Sequence, residues 1–160
     1  DAADATSEKR LEVADISSTE KAVHEAMTAV SNIIHRAKNT ENYKGFVRMT
    51  DTFPKVAAIG LTEDECMARD LNYRQTLLPL ASVTAANVND YQDGFVKIVT
   101  NREDKIIGAT IVAPNADLMI QELVMAMRAD LKLVDIATTP HVANAWSEAV
   151  RLAARRGTRA

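Results

Sequence analysis

The sequence is poor in cysteine, and this scarcity excludes several classes of protein. Its single cysteine, Cys66, can form no internal disulfide and offers no thiolate metal site. A chain of this kind is expected in a reducing compartment, and we expect it in the cytoplasm. Because Cys66 falls in a short predicted helix, a packing role is favoured over a reactive thiol. The N-terminus is polar and acidic, unlike a signal peptide, and its lack of methionine suggests a processed chain.

Aromatic residues and long apolar runs are also scarce. Aromatics make up 4% of the 160 residues, with one tryptophan, so we expect an aliphatic core rich in methionine. No run approaches the roughly 20 apolar residues needed to span a membrane. The net charge of −3 argues against nucleic acid as a partner. A basic C-terminal cluster is interpreted as a solvated helix end: Arg151, Arg155, Arg156 and Arg159.

The spacing of apolar residues predicts several helices, and two of them begin at a capping box. The two boxes are residues 17–20 and 62–65. In each, the hydroxyl of the first residue accepts from the backbone amide of the fourth, a glutamate, and that glutamate's carboxylate accepts from the backbone amide of the first residue. A short helix is expected before Pro140. Asn144 is expected to cap the last helix, which Gly157 ends. The predicted helices are 17–38, 62–69, 115–130, 131–138 and 144–157.

The strands are predicted from short β-branched runs bounded by turn residues. They are residues 55–60, 74–83, 94–100 and 105–113. The polar turn 101–104 joins the last two as an antiparallel hairpin, and Pro79 places its own strand at an edge or a bulge. The predicted fold class is therefore α+β, with an antiparallel β-sheet covered by α-helices in a single domain.

The helix predicted over 115–130 contains five consecutive apolar residues, 123–127. A helix that is apolar on more than one face is buried on more than one side. Two interpretations stay open at this point: a central helix of the core, or a helix that packs one face against a second copy of the chain.

Three segments together resemble the C-terminal dimerisation domain of the flavin-dependent pyridine nucleotide–disulfide oxidoreductases, and dihydrolipoyl dehydrogenase in particular. "FPKVAAIGLTEDE" (53–65) resembles the family's entry motif P-x-V-A-x-V-G-x-T-E. "DGFVKIVTNREDKIIGATIVAPNADLMIQELVMAM" (93–127) resembles its G-F-x-K hairpin, its I-L-G-A-H-I-x-G strand and the following helix. "HVANAWSEAVRLAA" (141–154) stands where the family has H-x-H-P-T-x-S-E.

The resemblance implies a piece of a longer protein. By this interpretation residues 1–44 are a lead-in and a helix that follows a flavin Gly-Asp-type motif, 45–157 are the dimerisation domain, and 158–160 are a tail. The family's FAD- and NAD(P)-binding domains and its redox disulfide would lie elsewhere in the parent chain. The expected partners are a second copy of the chain, as a homodimer, and those two domains.

One helix is implied to lie beside the flavin. "STEKAVHEA" (18–26) resembles the helix after the family's Gly-Asp motif, whose first turn faces the pyrimidine edge of the ring. Free amides and the helix dipole stabilise negative charge on the reduced flavin. By that resemblance Thr19 and Glu20 would lie near the flavin, and Asp1 or Asp4 could be the aspartate of the motif.

The C-terminal strip departs from the family at its working residue. With Ser147 and Glu148 in register, the family's catalytic histidine is replaced by Ala143 and the following proline by Asn144. In the family that histidine carries the proton of the dithiol, and the glutamate orients it. Glu148 is interpreted mainly as a first-turn helix carboxylate and secondarily as an orienter.

The role of His141 is left open. It matches only the first, non-catalytic histidine of the family motif. A position two residues upstream lies about 6–7 Å away along an extended chain, so a surface or interfacial role is favoured over substitution for the missing base.

Three functions are weighed. The first is the interface domain of a flavoprotein oxidoreductase that has lost the usual catalytic histidine; the fragment alone is not catalytic. The second is a non-enzymatic dimeric module that keeps the fold without flavin chemistry. The third, a stand-alone enzyme using His141 and Glu148, is the least favoured because no nucleophile or glycine-rich loop accompanies them.

Overall fold

A computed structural model of the chain describes residues 19–40 and 42–158. Within them the chain forms five strands and six helices, and the predicted first capping box at residues 17–20 lies mostly outside this part. In chain order the elements are α1 (Thr19–His35), β1 (Val47–Thr50), β2 (Lys55–Gly60), α2 (Glu63–Ala68), β3 (Arg74–Pro79), α3 (Thr84–Val88), β4 (Phe95–Thr100), β5 (Ile106–Ala113), α4 (Ala116–Arg128), α5 (Leu133–Thr138) and α6 (Glu148–Gly157).

The five strands form one antiparallel sheet in the order β1-β2-β5-β4-β3. β4 and β5 are the predicted hairpin, and β5 lies at the centre between β2 and β4. Pro79 ends β3, which is an edge strand, as expected for a residue without an amide hydrogen to donate. The α+β class with an antiparallel sheet and covering helices is confirmed.

The main core lies between the sheet and the helices α4 and α6, with α5 packed on α6. Its largest fully buried side chains are aliphatic, and no aromatic residue of the described chain is buried. The expected aliphatic core is confirmed, but the core is not rich in methionine: Met119 and Met127 are buried, whereas the other four are exposed, Met27, Met49, Met67 and Met125.

A smaller cluster lies under α2. It contains Leu61, Cys66 and Val99. Neighbouring residues of a strand point to opposite faces of the sheet, so Val99 faces away from the main core that contains Ile98. The second predicted capping box is present, because Thr62 and Glu65 accept from each other's backbone amides. Cys66 is fully buried, and this burial raises the pKa of its thiol. A packing role for Cys66 is therefore confirmed.

Two local predictions need correction, and two short elements were not predicted. The strand predicted over 74–83 stops at Pro79, and 80–82 form a single 3-10 turn. The last helix begins at Glu148, and Asn144 does not cap it, because Asn144 lies in the left-handed region with φ 60°. β1 and α3 were not predicted, since each has only four or five residues and no clear period.

Gly108, on the central strand β5, allows the close approach of the backbone of Leu61, which lies just before α2. A Cβ at this position would collide with the carbonyl oxygen of Leu61, a backbone atom that cannot move independently. Gly108→Ala is therefore expected to destabilise the fold by about 3 kcal/mol, because the overpacked site must displace backbone. Urea denaturation measures the change in the free energy of unfolding.

Thr110→Ala provides the matched control on the same strand. Thr110 is only partly buried, and its truncation is expected to change stability by about 1 kcal/mol or less. Equal stability of Gly108→Ala and the wild type would show that the close approach of Leu61 to β5 is absent in solution.

Candidate functional site

The loop between α5 and α6, residues 139–147, carries the strip that the sequence predicts to correspond to the family's catalytic motif. Pro140 follows the end of α5, and the loop lies beside the middle of α4, where His141 meets Glu122. At the other end of the loop Trp146 packs against the main core. The loop is thus attached to the body of the domain at both ends.

His141 is held between two hydrogen-bond acceptors. Its Nε2 lies 2.8 Å from the Glu122 Oε2 on α4, and its Nδ1 lies 2.9 Å from the carbonyl oxygen of Thr139. The side chain is only 6% exposed. Sequence reasoning missed this pairing because Glu122 is 19 residues away and no local spacing links the two residues. His141 is thus engaged at both nitrogens.

Glu148 lies in the first turn of α6 and turns back toward the loop. Its Oε2 accepts the backbone amide of Asn144 at 3.0 Å, and its Oε1 accepts from Arg151 at 2.8 Å. The Asn144 amide, then the Arg151 guanidinium and more weakly the charge of His141 hold the pKa of Glu148 below its ordinary value. This geometry is that of a first-turn carboxylate that fixes the loop backbone.

Glu148→Gln is expected to make stability less sensitive to acid. Because the folded chain lowers the pKa of Glu148, its carboxylate stabilises the fold above the unfolded value, about 4.3. That contribution is lost as the pH falls through the lower folded pKa. Urea unfolding at about pH 7 and about pH 3 should therefore show a smaller acid loss in Glu148→Gln. An acid loss equal to that of the wild type would contradict the lowered pKa.

Ala143 and Asn144, which the sequence predicts to stand at the positions of the family's histidine and proline, are both exposed. Ala143 has no group that could carry a proton, and the left-handed φ of 60° at Asn144 is one that proline cannot adopt. Next to them Val142 is 73% exposed. The loop therefore presents small apolar side chains at its tip.

The apolar run of α4 is divided between the buried side of the helix and its outer face. Leu123, Ala126 and Met127 are buried in the core, whereas Leu118 and Met125 are 71% and 66% exposed. The two exposed side chains lie seven residues apart, on one side of the helix. Val142, next to His141 in the sequence, is exposed as well, and we call Leu118, Met125 and Val142 the outer apolar surface.

The residues expected near the flavin are described only in part. Thr19 and Glu20 form the first turn of α1, and their side chains lie outside the described part of the chain, as does all of Asp1. The structure therefore places the helix end but none of the three side chains.

The helix α1 contacts the domain through its polar side. Tyr43 donates to Glu25 at 2.6 Å, and the ring of His24 meets Phe46 edge-on at 5.2 Å. Its large apolar side chains face away from the domain and are exposed: Val23, Met27, Val30, Ile33 and Ile34.

Residues 19–40 and 42–158 show neither a metal-ligand cluster nor a membrane-spanning helix. These residues contain no group of three histidine, cysteine, aspartate or glutamate side chains that could hold a metal ion. None of the described helices is long and apolar enough to cross a membrane. A mostly apolar cleft runs between the end of α4, the β4–β5 turn and residues 43–45, and its described lining includes neither His141 nor Glu148.

Residues 46–154 match the family described as pyridine nucleotide-disulphide oxidoreductase, dimerisation domain. The match covers more than half of the chain. This chain belongs to that family. The prediction made from the three sequence segments is therefore confirmed, together with its dihydrolipoyl dehydrogenase-like character, which the relatives below support.

Curated relatives carry the names of flavin disulfide oxidoreductases. Dihydrolipoyl dehydrogenase 1, mitochondrial, from Arabidopsis thaliana is 38% identical over 104 residues, which cover 64% of this chain and 20% of that protein. Dihydrolipoyl dehydrogenase, mitochondrial, from Dictyostelium discoideum is 35% identical over 127 residues, 79% of this chain and 26% of that protein. The chain thus spans about a quarter or less of these relatives.

Solved structures of the same type share the fold. LpdA from Mycobacterium tuberculosis matches with a TM-score of 0.75 and 26% identity, over 82% of this chain and 29% of that one. The flavoprotein disulfide reductase RclA from Escherichia coli matches with a TM-score of 0.75 over 81% of this chain and 30% of that one. At 17% identity RclA supports the fold alone.

Proposed function

We propose that the chain is the homodimerisation domain of a longer FAD- and NAD(P)-dependent disulfide oxidoreductase. In this proposal residues 1–44 lead in from a flavin-binding domain, 45–157 form the dimerisation domain and 158–160 are a tail. The observation that carries the proposal is the outer apolar surface of Leu118, Met125 and Val142 on a domain of this family. Exposed apolar patches of this kind are sites of protein association.

The exposed apolar stripe of α1 supports the second expected partner, the FAD- and NAD(P)-binding domains of the parent chain. A helix with its polar side against its own domain and its apolar side outward is suited to packing between two bodies. We infer that the FAD- and NAD(P)-binding domains of the parent chain cover this stripe. The parent's compartment is proposed to be cytoplasmic, as the single cysteine suggests.

The described residues offer FAD one fitting element, the start of α1. The positive end of its helix dipole favours an anionic group, which fits the negative charge on a reduced flavin. The neighbouring Asp1, Thr19 and Glu20 are proposed to lie near that ring. When bound, FAD supplies the hydride and electron chemistry. The remaining contacts would come from the parent's other domains, so no redox step is assigned to this chain.

The active-site strip supports an altered proton step. Ala143 carries no proton, Glu148 is engaged with Asn144 and Arg151, and His141 is engaged with Glu122 and Thr139. We infer that the loop supplies the partner subunit's site with an apolar surface instead of a general base. Substitution by His141 would require both of its hydrogen bonds to break.

The coding sequence on the N-terminal side of Asp1 tests the proposed parent. We expect it to specify G-x-G-x-x-G nucleotide-binding motifs and, if the parent uses a redox disulfide, C-x-x-x-x-C. A non-enzymatic module that keeps only the fold would lack both motifs. That alternative is not favoured, since the relatives are named as dehydrogenases and reductases.

A further inference from the structure

The middle of the α5–α6 loop has a single described hydrogen bond to a distant element. Within residues 140–143 this bond is the one between His141 and Glu122, which joins the loop to α4 across 19 residues of sequence. The other described bonds of the loop are local, such as Ala145 to Val142 and Asn144 to Glu148. The position of the loop tip therefore depends on one side-chain pair.

The geometry of that pair requires two ring protons. A backbone carbonyl only accepts, and an ionised carboxylate only accepts, so both ring nitrogens of His141 must donate for both contacts to be hydrogen bonds. Both are donors only in the imidazolium form. A neutral ring would leave one nitrogen lone pair facing an oxygen, inside a site where the side chain is 6% exposed.

Charged and polar groups from α4, from α6 and from the end of α5 face the ring. Glu122 faces it from α4, and Glu148 interacts with it through charge from α6. Arg151, the described cation at this place, is paired with Glu148 at 2.8 Å. From α5 the ring meets the carbonyl oxygen of Thr139, which carries a partial negative charge.

We propose that Glu122 and His141 form a proton-dependent tether that holds the loop tip, Val142 and Ala143, against α4. Loss of one ring proton removes one of the two hydrogen bonds that fix the ring, and so weakens the hold of the loop tip on α4. The state of the loop within one chain does not depend on the proposed parent enzyme. Its effect on pairing between two copies rests on the proposed function.

Amide hydrogen exchange at residues 142–145 tests the tether in the 160-residue chain. After correction for intrinsic exchange rates, protection is expected to fall about tenfold between about pH 5 and about pH 8. Glu122→Ala should show the low protection at both pH values. His141→Gln, which cannot gain a second donor group on titration, should show protection that does not change with pH.

Glu25→Ala is the matched control, because it removes a carboxylate that also accepts a side-chain hydrogen bond, at the α1–Tyr43 contact. It should keep the pH dependence of the wild type. Protection that is independent of pH in the wild type, or unchanged in Glu122→Ala, would overturn the proposal. The chemical shift of the His141 ring provides a second readout, since its titration should coincide with that of the loop amides and differ in Glu122→Ala.

Discussion

Replacing Leu118 and Met125 together with glutamate is expected to convert the dimer into monomers, with a dissociation constant raised at least about a hundredfold. Both side chains are more than half exposed on one chain and lie on one side of α4. A twofold interface contains each residue twice, so the double change places four buried carboxylates where apolar groups met. Desolvation of unpaired charges opposes association strongly. Sedimentation velocity over a concentration series measures the change.

Met67→Glu is the matched control for this prediction. Met67 is an exposed methionine on α2, away from α4 in the sequence and on a helix that covers the other side of the sheet. It should leave the dissociation constant within about threefold of the wild type. If the double variant stays dimeric while it remains folded by circular dichroism, α4 is not the interface.

In the proposed full-length oxidoreductase, introducing the family's histidine and proline is expected to increase dithiol turnover. The variant Ala143→His/Asn144→Pro is expected to raise the rate of dithiol turnover about a hundredfold, the usual contribution of a general base. Both changes are needed, because the present turn has φ 60° at Asn144, whereas proline requires a φ near −65°. The proline therefore changes the direction of the backbone that carries the new histidine. Ala143→His alone would present the imidazole from the wrong turn and is expected to give a much smaller gain.

Ala145→His places the same imidazole two residues further along the loop and serves as the control. It should give no gain in turnover, since the register and not the mere presence of a base decides the reaction. No gain in the double variant, with flavin still bound and reduced by NAD(P)H, would mean that Ala143 is not the position of a lost base.

Most strands of the sheet could be predicted from the sequence, because the signals that mark them lie within the strands and the adjoining turns. β2 was predicted at its observed bounds, and β4 and β5 to within one residue, because β-branched runs and turn residues are local signals. β1 was missed because its four residues gain their strand conformation by pairing with β2, as Val47 does with Ile59. Such pairing is a tertiary effect.

The resemblance predicted which residues share the strip of the candidate site, but not the contacts that these residues make. The resemblance located Ala143, Glu148 and His141 on one strip, and the structure places them on one loop and the helix that follows it. The contact between His141 and Glu122 joins two elements whose approach depends on the packed core. Asn144 was predicted as a cap from its residue type, whereas Glu148 binds its backbone amide and the helix starts later.

Sedimentation equilibrium of the wild-type 160-residue chain is the measurement that tests the central claim most directly. If the chain is a homodimerisation domain, its mass should be twice the 17.5 kDa of one copy at micromolar concentration and should fall in the Leu118→Glu/Met125→Glu variant. A folded wild-type chain that stays at 17.5 kDa up to the highest accessible concentration would contradict the account.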